Sequence, residues 1–139
     1  MFFKRFVTSS SWQSAGLLTA RIIMALVFTM AFAFKVMSIS GTAAEIAGAG
    51  LPFALPLAYA AAAFELLVVL AFLSGAYFRQ VAFLALLYIL FLAGMFHGPS
   101  HWAANMDEFG FFVDHFTFAA GLIALVASGS GRIRLAWGN

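Results

Sequence analysis

Cysteine is absent from this chain of 139 residues. Without a thiol, the protein has no disulfide, no thiol nucleophile and no cysteine ligand for zinc or for an iron–sulfur cluster. Proline is also scarce, with three residues, and no stretch rich in proline, glycine and serine divides the chain. We therefore expect one compact unit whose chemistry depends on other side chains.

Charged side chains are also scarce. Only 9% of the residues are charged, whereas 65% are hydrophobic, and the mean hydropathy is +1.04. Soluble domains carry roughly 25% charged residues and about half apolar residues. The composition therefore predicts a lipid bilayer as the partner of this chain, and the net charge of +2 gives no indication of nucleic-acid binding.

Four apolar segments have lengths near the requirement for crossing a bilayer as a helix. They run from about Leu17 to Met37, Leu55 to Leu73, Val81 to Phe96 and Phe111 to Ala127. None shows the alternation of a membrane β-strand, and backbone groups in hydrocarbon must be paired within the protein. The sequence predicts an all-α membrane protein, a bundle of four transmembrane helices.

The first segment has one alternative interpretation, a cleaved signal peptide. The residues Ala31-Phe32-Ala33 look like a cleavage site. However, Arg21 interrupts the approach to the apolar stretch, and signal peptides keep their basic region next to it. The pattern favours an uncleaved first helix.

Basic residues predict the orientation of the helices. Lys4 and Arg5 precede the first segment, Arg79 lies between the second and third, and Arg132 and Arg134 follow the fourth. The other two loops contain acidic side chains and no lysine or arginine. The positive-inside rule then predicts that both termini are cytoplasmic (N-in/C-in). We expect residues 1–16 to form a cytoplasmic segment and residues 17–137 to form the membrane domain.

Ionisable side chains inside the predicted helices are the candidate functional residues. Glu65 lies near the centre of the second segment, where a carboxyl costs a few kcal/mol. Arg21 and Lys35 lie on the first segment, and Asp114 and His115 on the fourth. We expect these five side chains to form an intramembrane polar pocket around Glu65, although Arg21 and Lys35 could each instead extend to the membrane interface.

Two pairings follow from estimated depths. A rise of about 1.5 Å per residue places Lys35 and Asp114 at similar depth, which predicts a salt bridge between them. Glu65 lies deeper. The lysine or the arginine of the first segment could reach part of the way to it, and Tyr88 and His115 are also candidate hydrogen-bond partners. These groups could serve as polar contacts that fix the helices, or they could bind a polar headgroup or relay protons.

A metal site has weak support in the sequence. His97 and His101 lie in a loop with Asp107 and Glu108, and imidazole with carboxylate suits zinc or copper. Pro99 makes a continuous helix across the two histidines improbable, so they need not share a face. We expect no metal here, with His97 and His101 as the candidates if one binds.

Three stretches of the chain resemble the DoxX family. They are LLTARIIMALVFTMAFAFKVM, LPFALPLAYAAAAFELLVVLAFLSGAYFR and GLIALVASGSGRIRLAW. The order of Arg21, Lys35, Glu65 and Arg132 matches the family pattern, and the resemblance covers about Leu17 to Trp137. It implies a four-helix protein of the bacterial or archaeal cytoplasmic (inner) membrane.

The resemblance also implies a class of function. Family members are similar to the small membrane subunit of an archaeal thiosulfate:quinone oxidoreductase, and others are associated with oxidant-defence complexes. We therefore expect a membrane subunit of a redox complex, with quinone as the candidate cofactor and a redox protein or a second copy of the chain as candidate partners. The alternative is a non-catalytic scaffold or assembly protein whose buried charges are structural, and the sequence leaves open whether the chain is an enzyme.

The orientation can be tested with reporter fusions. A reporter fused after Asn139 should be active as a cytoplasmic protein, and one inserted between Ser100 and Glu108 should be active only outside the cytoplasm. The reason is the distribution of arginine and lysine between the loops. A C-terminus outside the cytoplasm would contradict the predicted orientation.

Overall fold

The computed structural model describes residues 10–135, so Lys4, Arg5 and Trp137 lie outside the described residues. This part of the chain forms six helices and is all-α. The helices are α1 (Ser10–Met37), α2 (Ile39–Gly48), α3 (Ala54–Ser74), α4 (Phe78–Phe96), α5 (Pro99–Trp102) and α6 (Asp107–Ser128). Helices α1, α3, α4 and α6 are long and apolar enough to cross a membrane. The predicted fold class, a bundle of four transmembrane helices, is therefore confirmed.

Two helices begin four or more residues before their apolar segments. Helix α1 starts at Ser10, seven residues before Leu17. Helix α6 starts at Asp107, where two acidic side chains occupy the first turn and the Asp107 amide donates to the Asn105 side chain at 3.0 Å. Negative charge at a helix N-terminus is favourable, because the first amides point outward without partners. Hydropathy alone therefore missed the first helical turns of α1 and α6, which contain polar residues.

The bundle has two ends, which differ in what they contain. Both described chain ends lie at one of them, together with the connection between α3 and α4; we call it the termini end. The opposite loop end contains α2, α5 and the connections on either side of them. This arrangement follows from four consecutive crossings joined by short connections.

The helices pack mainly as two pairs. Helix α1 packs along α3, and α4 packs along α6, whereas the contact between α3 and α4 is smaller. Interlocked aromatic rings fill the core towards the termini end, with Phe72 lying 6.4 Å from Phe28 and 4.9 Å from Phe78 between ring centroids. The tight turn after Ser74 does make α3 and α4 antiparallel neighbours, but it does not make them the closest pair.

Small residues are part of the buried faces of two helices. On α3, Ala58 and Ala62 are buried and lie one turn apart; on α4, Ala82, Ala85 and Ala93 are buried. The other alanines of this part of α3, Ala60, Ala61 and Ala63, are exposed or only partly buried. Small side chains let membrane helices approach closely, which strengthens dispersion contacts where the hydrophobic effect between helices is weak.

Arg21 fastens the termini end. Its side chain is fully buried and donates only to backbone carbonyls. Nε donates to Phe72 O at 2.8 Å and one terminal nitrogen to Leu73 O at 3.1 Å, while the other reaches Ser130 O at 2.9 Å and Ile133 O at 2.6 Å. The carbonyls of Phe72 and Leu73 end α3, where they lack helical partners and carry partial negative charge. The Arg21 side chain is therefore enclosed by the protein itself.

Gly75 lets the chain turn beneath this arginine. Its φ of 82° is left-handed, and a Cβ atom there would lie 2.8 Å from Arg134 Cβ and 3.3 Å from the Arg21 side chain. The Leu135 amide also donates to Ser74 O at 2.9 Å. The segment after α6 is thus held against the end of α3 by hydrogen bonds from both directions.

Replacing Arg21 should therefore loosen the C-terminal segment. Arg21→Met should destabilise the protein by roughly 2–4 kcal/mol, because buried carbonyls lose charged hydrogen bonds. Trypsin should also cut faster after Arg132 and Arg134. Thermal unfolding in detergent and timed proteolysis measure the two effects.

Arg79→Met is the matched control for that experiment. Arg79 is exposed, and its contact with Ala127 O is long, at 3.5 Å. This variant removes the same charge from the same end of the bundle and should have a much smaller effect. Equal effects of the two substitutions would contradict the assigned role of Arg21.

Candidate functional site

Three helices meet at one carboxylate oxygen in the loop-end half of the bundle. Glu65 on α3 is 1% exposed, and its Oε1 accepts hydrogen bonds from Lys35 Nζ on α1 at 2.7 Å and from Tyr88 Oη on α4 at 2.8 Å. The Tyr88 ring is further held by edge-on contact with Phe64, 5.1 Å between centroids. We call Lys35, Glu65 and Tyr88 the carboxylate trio. Tyr88 was among the predicted partners of Glu65, and that prediction is confirmed.

The predicted salt bridge between Lys35 and Asp114 is wrong. Lys35 pairs with Glu65, while Asp114 is exposed on α6 and makes no ion pair within residues 10–135. The prediction used depth along the membrane and ignored the direction of each side chain. Side chains lean towards the N-terminus of their own helix, so Lys35 on α1 and Glu65 on antiparallel α3 lean towards each other. Asp114 also lies on a helix antiparallel to α1, but on an exposed face of it.

The second oxygen of Glu65 gives the trio unused capacity. Oε2 is buried and has no hydrogen-bond partner among the described residues. An ionised carboxyl offers about four acceptor positions, and here two donors share one oxygen. Lys35 likewise uses one of its three N–H donors for Glu65. The trio can therefore accept a further hydrogen bond or a proton at Glu65 and donate one from Lys35.

A pocket of about 540 Å³ lies next to the trio. Lys35 and Tyr88 contribute to its wall, and Lys35 is 20% exposed. Helices α2, α3 and α4 supply most of the remaining lining, in which apolar side chains predominate over a few polar ones. The polar residues besides Lys35 and Tyr88 are Thr42, Glu45 and His97, and the apolar wall includes Leu57, Ala60, Ala61, Phe64, Phe91, Leu92 and Phe96.

His97 joins the pocket to a second polar cluster at the loop end. Its Nδ1 lies 2.6 Å from Glu108 Oε2, and its backbone carbonyl accepts a hydrogen bond from Trp102 Nε1 at 2.8 Å. The His115 ring lies 4.9 Å from the His97 ring, and its Nδ1 bonds to Phe111 O at 2.7 Å. The imidazole of His97 is thus held by a carboxylate on α6.

The predicted pocket residues consequently divide into separate places. Lys35 and Glu65 come together, whereas His115 belongs with His97 and Asp114 lies on an exposed part of α6. Arg21 is fourteen residues from Lys35 along α1, roughly 21 Å away, and binds carbonyls at the termini end. Its predicted membership of a shared pocket is therefore not what the structure shows.

The two histidines proposed as metal candidates are not paired with each other. His97 faces Glu108 and His115, and His101 lies on the short helix α5. In residues 10–135, no three histidine, cysteine, aspartate or glutamate side chains are grouped so that they could hold a metal ion. The H-x3-H spacing therefore does not correspond to a formed pair of ligands.

Sequence reasoning overlooked the contribution of α2. Thr42, Glu45 and Ile46 all line the pocket, and their spacing of three and four residues places them on one helical face. All three lie on the short helix α2 (Ile39–Gly48). The sequence feature that could have indicated this contribution is the shared helical face of these three residues, soon after Lys35 in the chain.

The comparisons with known proteins give one match. The family model of DoxX matches residues 16–98, which include helices α2, α3 and α4, most of α1, and all three members of the carboxylate trio. Neither a curated protein nor a solved structure matches the chain.

The pairing in the trio can be tested by a double-mutant cycle. Lys35→Met alone should destabilise the protein by roughly 3 kcal/mol, because it leaves Glu65 buried without its counter-charge. Combining it with Glu65→Leu should recover part of that loss, giving a coupling energy of roughly 1–3 kcal/mol. Unfolding in mixed micelles measures both quantities.

The same cycle on Lys35 and Asp114 is the control. The substitution of Lys35 and the substitution of Asp114 should change the free energy of unfolding additively, because the structure shows no ion pair between the two residues. Coupling between Lys35 and Asp114, or additivity between Lys35 and Glu65, would contradict the observed arrangement.

Proposed function

Because this chain belongs to the DoxX family, we propose that it is the membrane subunit of a redox complex and that its pocket binds a quinone. The observation that carries the proposal is the contact between the pocket and the carboxylate trio. Lys35 and Tyr88 line the pocket and both bond to the buried Glu65. A ligand in the pocket would therefore lie against a lysine, a phenol and, behind them, a buried proton acceptor.

The size and lining of the pocket fit a quinone ring with part of its tail. A volume of about 540 Å³ is within the usual range for small-molecule sites, roughly 300–1,000 Å³. Such sites are mostly apolar, with a few polar groups that fix orientation. Phe64, Phe91 and Phe96 supply flat apolar surfaces, and Lys35 has N–H groups left to donate to a ring carbonyl.

The trio would position the ligand and would bind or release protons. A bound quinone would supply electron transfer coupled to proton uptake. Lys35 would orient a carbonyl by donating to it, and Glu65 would hold or release a proton beside Lys35 and Tyr88. The chain has no cysteine to carry an iron–sulfur cluster or a redox disulfide, so we propose that the electrons come from a partner subunit.

The proposed location is the cytoplasmic membrane of a bacterium or archaeon. If both termini are cytoplasmic, as the basic residues predict, the loop end faces outward and the pocket lies in the outer half of the bilayer. Lipid-soluble quinones would then reach it sideways between α3 and α4, whose mutual contact is small. The predicted domain limits, 17–137, remain part of this proposal.

A scaffold or assembly protein is the second candidate, and the trio also supports it. One oxygen of Glu65 receives bonds from α1 and α4 while itself belonging to α3. In a scaffold, this contact would have a purely structural role and would hold three helices together, since polar bonds between membrane helices are stabilising. In that case the pocket would have no ligand that matters for function.

Glu65→Gln separates these two functions. Glutamine keeps an oxygen that accepts from Lys35 and Tyr88 but cannot take up a proton, so the variant should fold and assemble. The complex isolated through a C-terminal tag should then reduce or oxidise a short-chain ubiquinone at least tenfold more slowly than wild type. Size-exclusion chromatography measures assembly, and quinone absorbance measures the reaction.

Asp107→Asn is the control for the loss of a carboxyl. Asp107 lies in the first turn of α6 and does not line the pocket, so the rate should be unchanged. A glutamine variant with normal activity would favour the scaffold. A variant absent from the membrane would show instead that Glu65 serves as an indispensable structural ion.

A further inference from the structure

The charges around the pocket are not balanced. The lysine and the histidine of the lining each have a carboxylate partner: Lys35 Nζ lies 2.7 Å from Glu65, and His97 Nδ1 lies 2.6 Å from Glu108. Neither side chain therefore offers an uncompensated positive charge to a ligand. An anion entering the pocket would have to compete with a carboxylate that is already in place.

Glu45 adds a negative charge that nothing in the described part of the chain compensates. It lies on α2, lines the pocket and is exposed at the loop end. No ion pair within residues 10–135 involves it. Its neighbours on the same helical face, Thr42 and Ile46, are uncharged.

We propose that the pocket selects uncharged amphiphiles and rejects anionic ones, and that Glu45 is the residue that determines this selection. The inference rests on the proposed function, because it assumes that an amphiphile enters the pocket. The class it assigns is a molecule with a neutral, hydrogen-bond-accepting head and an apolar body. Fatty-acid anions, anionic phospholipids and sulfur oxyanions are excluded.

The physical basis is the repulsion between a ligand anion and the Glu45 carboxylate. At a separation of roughly 8 Å and an effective dielectric constant of about 40, two like charges repel enough to weaken binding roughly fivefold. A neutral head meets no such repulsion and still receives hydrogen bonds from Lys35. The effect is one of selection between ligands rather than of overall affinity.

Trp102 provides a local reporter for the test. Its indole donates to the carbonyl of His97, a pocket residue, and Trp12→Phe with Trp137→Phe leaves it as the single tryptophan of three. The probes are a nitroxide-labelled alkyl alcohol and the corresponding alkyl sulfate, which is anionic at any working pH. Quenching of Trp102 would be titrated in nanodiscs of zwitterionic lipid, with and without Glu45→Gln.

We expect saturable quenching by the alcohol, and binding of the sulfate at least fivefold weaker. Glu45→Gln should strengthen sulfate binding roughly fivefold and leave the alcohol unchanged. Asp107→Asn, which removes an acidic side chain of the loop end that does not line the pocket, should change neither probe. If Asp107→Asn has the same effect as Glu45→Gln, the selection reflects surface charge and the role of Glu45 is wrong.

The two proposals can fail separately. Equal binding of alcohol and sulfate to the wild-type protein would overturn the charge selection but leave amphiphile binding in place. Absence of saturable quenching by the alcohol would overturn both, because no amphiphile would then occupy the pocket. Tighter binding of the sulfate would show that Lys35 acts as an available cation despite its contact with Glu65.

Discussion

A cation buried in a bilayer must have a partner, and the two cations of α1 find theirs in different ways. Arg21 is enclosed by backbone carbonyls at the end of α3 and in the segment after α6. Lys35 instead pairs with the carboxylate of Glu65. The planar guanidinium suits several carbonyls at once, whereas a compact ammonium suits one oxygen at close range. These two contacts fix α1 against α3 at both ends of the bundle.

The consequence is a bundle whose two ends differ in chemistry. At the termini end, the arginine contacts and the tilted phenylalanine rings close the core. At the loop end, a pocket forms beside the trio. Glu65 is the only buried acidic residue of the described core. The same residue takes part in the ion pair that stabilises the fold and lies next to the pocket. A structural and a chemical role for Glu65 are therefore compatible, because the same hydrogen bonds serve both.

Much of the site could be predicted from residue types but not from their arrangement. A glutamate at the centre of an apolar helix indicated that Glu65 would need a partner, and Lys35 was among the candidates. The choice between Asp114 and Glu65 as the partner of Lys35 was wrong, because depth along a membrane axis does not specify which faces of two helices meet. Glu45 went unnoticed as a pocket residue, since nothing in its local sequence shows that α2 packs against α3.

The sequence by itself determined that this chain is a membrane protein of four spanning helices, because length and hydropathy act locally and need no partner. It also determined the family, since the order of charged residues along the helices is a linear property. Only the tertiary structure decided that Arg21 binds carbonyls, that Lys35 binds Glu65 and that a pocket lies beside them. Those contacts depend on how helices rotate and pair, and packing between residues distant in the sequence sets that rotation.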